Sequence, residues 1–127
     1  MHLSWPLAAA LIALPSVAQA QTMNAEEFHR SATALQKKGA LAVFSMGKVK
    51  ALMAEGKAAG EKAREARLAA IAAGKKPRYC PPDGPQAMGS DEFMTRLSQI
   101  PQGDRARIDM TEAMTRILER KFPCKAS

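Results

Sequence analysis

The chain has 127 residues, 46% of them hydrophobic and 5% aromatic, and carries a formal charge of +7. That is enough for one small domain. It excludes a large enzyme and a membrane channel, and with two cysteines and two histidines in all, a zinc module as well.

Residues 1–20 contain no Lys, Arg, Asp or Glu. Their apolar run Leu7 to Val17, followed by Ala18-Gln19-Ala20, reads as a secretory signal cleaved after Ala20; the alternative is a helix retained as an anchor. The run is shorter than the roughly 20 apolar residues of a membrane span, and no later stretch comes close, so stable membrane insertion is not expected. Cleavage leaves 107 residues, residues 21–127, of which 16 are Leu, Ile, Val or Phe. That share lies below the ~20% at which disorder becomes a serious alternative, so the core needs a staple. Cys80 and Cys124 are the only thiols. In an oxidising compartment an even count favours a disulfide, with one intramolecular pairing available. An intermolecular bridge or a reactive thiol are the other readings. The loop closed by the intramolecular bond is worth about 4 kcal/mol at most.

Four helices are expected. Asn24 stands as the N-cap of the first, with Glu27 at capping-box spacing and Met23 and Phe28 in staple positions. Phe28, Ala32 and Leu35 share a face, and Gly39 marks the stop. The second helix is expected from Ser45 to Gly74, with Phe44 and Val49 as a staple and Val49, Leu52, Met53, Gly56, Gly60 and Ala63 as its apolar face. Gly in a helix interior costs roughly 1 kcal/mol against Ala, so the Gly56–Gly60 pair is expected to be covered by a closely packed helix. Arg67 interrupts this face; either it meets an acid or a partner, or the helix, about 45 Å long, outruns the core there, the simpler account.

Prolines 77, 81, 82 and 85 make the following segment a loop. The third helix starts at Ser90, shows Phe93, Leu97 and Ile100 as a stripe, and closes at Pro101. The fourth starts at Asp109, with Glu112 at capping-box spacing, and its inner face reads Met110, Ala113, Met114, Ile117, Leu118 and Phe122. The expected fold class is all-α: a small bundle of about four helices, one of them long and basic.

Charge is unevenly spread. Residues 46–78 carry nine basic and three acidic side chains, whereas residues 79–127 carry seven of each. A solvated, solubilising face is the plain explanation; attraction to something anionic is the functional one. The apolar stripe of this helix is largely Gly and Ala, unlike that of a membrane-surface helix, and four Phe and one Tyr serve base stacking poorly, so nucleic acid is not an expected partner. Catalysis is not expected either. His29 is the only histidine after Ala20, no ligand cluster has metal spacing, no phosphate loop is present, and no serine sits in a nucleophile elbow. No catalytic, metal or cofactor-binding residue and no cofactor are assigned. The acidic pairs Glu26-Glu27 and Asp91-Glu92 lie at helix starts, where the macrodipole explains them.

The segment Tyr79-Cys80-Pro81-Pro82-Asp83-Gly84, the helix with Phe93 and Leu97, Ile100-Pro101 and the terminal Lys121-Phe122-Pro123-Cys124 together resemble the Rap/Tai amidase-immunity family of type VI secretion. The resemblance covers residues 79–124. The first half has neither the further cysteine pair nor the Gly-Tyr motif common in that family, and carries the basic Gly/Ala-rich helix instead. The resemblance implies a periplasmic, all-helical protein, often dimeric, with a Cys80–Cys124 bridge, that binds a cell-wall amidase and blocks its active site. The expected partner surface is the basic set Lys48, Lys50, Lys57, Arg64, Lys75, Lys76 and Arg78 together with the Pro81–Pro85 loop, notably Pro81, Pro82 and Asp83. The competing expectation is an accessory envelope protein whose basic helix rests on anionic cell-wall or lipid polymers.

Overall fold

The computed structural model describes residues 22–125; the expected leader, residues 1–20, lies outside them. The fold is all-α, with helices α1 (Ala25–Lys38), α2 (Met46–Ala72), α3 (Ser90–Gln99), α4 (Gln102–Arg105) and α5 (Met110–Lys121). Four of these match the expected helices. The single turn α4 and a 3-10 turn over Gly39–Ser45 were not foreseen.

The helix starts follow capping chemistry. Asn24 Oδ1 accepts from the N–H groups of Glu26 (2.9 Å) and Glu27 (3.1 Å), and Asp109 Oδ1 accepts from that of Glu112 at 2.8 Å. These two N-termini are also tied to each other. Ala25 N–H donates to Ile108 O at 3.0 Å and Met110 N–H to Met23 O at 2.7 Å, making an isolated antiparallel bridge between Asn24 and Asp109. Gly39 ends α1 at φ +54, a region that L side chains rarely adopt, which is why glycine stands there. Ser45 does not cap α2 with its side chain; its hydroxyl receives Lys38 Nζ at 3.3 Å. Nor do Phe44 and Val49 form a staple, because Phe44 is 86% exposed and has no core to enter. At its far end α2 closes in a Schellman arrangement, with Lys75 N–H donating to Ala70 O (2.8 Å) and Gly74 N–H to Ile71 O (3.0 Å).

The core is built from Phe28 of α1, Ala59 of α2, Leu97 and Ile100 at α3, and Met110, Ala113 and Ile117 of α5. Phe28 and Phe93 meet edge to face with ring centroids 5.8 Å apart. α2 packs mainly on α5, through the buried Ala59 and Ala63. Behind this core lies a buried ion pair. Arg105 Nε donates to Glu26 Oε2 at 2.7 Å, and its Nη1 donates to Ile100 O at 2.5 Å, so one guanidinium ties α1 to the end of α3.

Cys80 and Cys124 are joined, with their Cα atoms 4.9 Å apart. Cys80 N–H also donates to Phe122 O at 2.8 Å, so the loop after α2 is bolted to the end of α5 by a covalent bond and a backbone hydrogen bond. Among the described residues there is no β-strand, and no helix is long and apolar enough to cross a membrane.

Candidate binding cleft

α2 leans on α5 with one face and leaves its neighbouring face open. That face, α1, the loop after Cys80, α3 and the last turns of α5 enclose a cleft of about 1420 Å³. Its floor and inner walls are apolar: Phe28, Ala32 and Leu35 from α1, Val49, Leu52 and Met53 from α2, Met88, Phe93 and Met94 around α3, and Met114, Leu118 and Phe122 from α5. Four of these are methionines, whose flexible thioether chains adapt to irregular partners.

Gly56 and Gly60 both line the cleft, and a Cβ at either would meet nothing within 4 Å. Among the described residues no helix covers them, contrary to the expectation from their spacing. α2 instead presents nearly bare backbone to the cleft. Because the space is open, Gly56→Ala and Gly60→Ala are each expected to stabilise the protein by about 1 kcal/mol through helix propensity alone. Urea unfolding measures this, and destabilisation would mean that a helix does sit on these glycines.

Charges stand at the rim. Lys57, Glu61 and Arg64 lie along α2, Asp83 on the loop and Asp91 at the start of α3. Arg67, expected to overhang, instead sits 5.5 Å from the centre of the Tyr79 ring, because the loop folds back beneath it and buries that ring. Beyond it the helix does overhang: Leu68 and Ile71 are exposed. At the other end of the rim, Lys121 Nζ donates to both carboxylate oxygens of Glu92 at 2.8 Å.

The expected partner surface divides into three. Lys57 and Arg64 on one wall and Pro81, Pro82 and Asp83 on the other are brought together across the cleft. Lys48, Lys50, Lys75 and Lys76 are exposed but lie outside its lining. Arg78 is not a free charge: its guanidinium grips Glu112 through two hydrogen bonds of 2.6 and 2.9 Å and pairs with Glu119, on the side of α5 away from the cleft. Sequence reasoning missed the inner wall, since Met88, Met94 and Met114 carry no local sign that they face an opening rather than a sealed core.

Among the described residues no group of three His, Cys, Asp or Glu is placed to hold a metal. His29 does meet a serine, with Nε2 3.0 Å from Ser98 Oγ, but that hydroxyl donates its one proton to Met94 O at 2.8 Å.

Three carboxyls are held below the ordinary value of 4.5: Glu26 chiefly by its hydrogen bond from Arg105, Glu92 by Lys121 and then Arg96, and Glu112 by Arg78. Burial pushes His29 below 6.5, with Arg105 acting in the same direction. Each depressed carboxyl contributes stability above about 4.5 that is lost as pH falls through its folded value, and the neutral His29 contributes above about 6.5 with loss on the same side. All four signs agree. The urea midpoint is expected to decline slightly below pH 6.5 and steeply below pH 4.5, and Glu112→Gln should flatten the steep part. A higher midpoint in acid than at neutral pH would contradict these assignments.

Compared with protein-family models, curated proteins and solved structures, the chain matches none.

Proposed function

We propose that this is an exported, non-enzymatic binding protein of the amidase-immunity kind, which grips a segment of a peptidoglycan amidase in the cleft and thereby blocks the enzyme's groove. The observation that carries the reading is the cleft itself: an open, methionine-rich apolar trough with Lys57 and Arg64 on one bank and the Pro81–Asp83 loop on the other. Its size and lining suit a protein segment with apolar side chains. The excess of basic charge on α2 steers an acidic partner toward it. The disulfide supports an oxidising compartment, the periplasm in this reading. The bolted loop supplies a wall that does not give way when the cleft is filled.

The test pairs the protein with an amidase encoded beside it. A one-to-one complex that survives about 0.5 M salt, where the Debye length is only a few Å, and that stops peptidoglycan cleavage, is the expected result. Gly60→Leu projects into the cleft from a position where a Cβ meets nothing within 4 Å, so it should leave the thermal midpoint unchanged or higher while weakening the complex at least about tenfold. Binding that vanishes with salt and is indifferent to Gly60→Leu would instead favour an accessory protein resting on anionic envelope polymers. Peptidoglycan turnover by the purified protein, abolished by changing one residue, would overturn the non-enzymatic reading.

A further inference from the structure

We infer that the tip formed by the 3-10 turn Gly39–Ser45 and the first residues of α2 seats this protein on an anionic phospholipid surface. The inference is independent of what fills the cleft. None of the turn's residues is buried. Phe44 is 86% exposed, Leu41 63%, Val43 60% and Met46 44%. A chain so poor in large apolar residues thus leaves four of them in solvent at one place.

The charge around them has one sign. Between Glu27 and Glu55 there is no acidic residue, whereas Arg30, Lys37, Lys38, Lys48 and Lys50 all fall in that interval. Lys37, Lys48 and Lys50 form no ion pair among the described residues. Exposed apolar side chains flanked along the chain by exposed lysines without ion pairs match the layered chemistry of a bilayer boundary. The side chains enter some 5–10 Å to the acyl boundary while the ammonium groups stay with the phosphates.

Self-association fits less well. Two tips brought face to face would oppose lysine to lysine with no carboxylate between them, and seven residues supply much less than the roughly 800 Å² per partner of a stable dimer. Nor is this a membrane-surface helix. Three of the four exposed bulky residues, Leu41, Val43 and Phe44, belong to the turn before α2, where helix periodicity does not reveal them.

The protein, purified in the form that cells accumulate, is mixed with vesicles of phosphatidylcholine alone or of phosphatidylcholine with phosphatidylglycerol and sedimented. Binding is expected on the second set only. Phe44→Ser should weaken it by about tenfold or more, as should Lys48→Glu combined with Lys50→Glu. Neither change is expected to move the thermal midpoint, because these side chains touch no core. Comparison with the parent chain keeps any contribution from residues 1–20 out of the measurement. In a Trp5→Phe background, Phe44→Trp should show a blue-shifted emission on adding the anionic vesicles. Equal binding by parent and variants, or unshifted emission, overturns the inference. So does a dimer in sedimentation velocity that Phe44→Ser dissolves while vesicles go unbound, since that assigns the tip to a second copy.

Discussion

Cys80→Ala combined with Cys124→Ala is expected to cost about 4 kcal/mol. The two residues are 44 apart in sequence, and cross-linking a loop of that size removes a large share of the unfolded chain's freedom. The native state also loses a fastening. The bond holds the segment that places Arg78 on Glu112, buries Tyr79 beneath Arg67 and forms one wall of the cleft. Because the fully buried residues of α2 are the alanines Ala59 and Ala63, joined by a partly buried Leu52, little apolar burial is available to replace it. Urea unfolding with and without reductant measures the effect. A loss below about 1 kcal/mol would mean that the loop is held in place without the bond. A second readout separates the two contributions: partner affinity should fall even under conditions where the reduced protein remains folded.

Arg105→Ala should lower the thermal midpoint by roughly 10 °C or more, since it leaves the buried Glu26 carboxylate only the exposed Arg30, 3.4 Å away, and leaves the Ile100 carbonyl without its donor. Glu26 is buried and stays charged because the guanidinium is there. Removing only the cation is therefore worse than removing both partners. Arg105→Met with Glu26→Met should recover most of the lost midpoint, because a paired apolar replacement leaves no orphaned charge. Calorimetry of the two single variants and the double variant forms the cycle. Strict additivity would show that the pair does not act as a unit.

The helices were legible because each was marked by local chemistry. Asn24 and Asp109 cap, Gly39 and Gly74 stop, Pro101 and Pro123 interrupt, and the stripes through Phe28, Leu97 and Ile117 have helical spacing. The cleft was legible only in part. Lys57, Arg64, Pro81, Pro82 and Asp83 were expected at the partner surface, but nothing local shows that they face one another. Phe44 and Val49 have staple spacing, yet a staple needs the two side chains to close on each other, and Phe44 stands 86% exposed instead. Gly56 and Gly60 read as a packing seam for the same reason, since spacing describes the face of one helix and not what lies opposite it.

Residues near one another in the chain settle the helix limits, the proline-rich loop and the excess of basic charge on α2, and the two cysteines make the Cys80–Cys124 link the favoured pairing, which the structure contains. Which apolar faces close on each other emerges only when the helices pack. α2 sits on α5 through Ala59 and Ala63, so its glycine face is left open. Arg78 turns outward to Glu112, so it leaves the basic surface. The physical reason is that capping, propensity and charge act over a few residues. Burial is a competition among all faces at once, and its outcome depends on the angles at which distant helices meet.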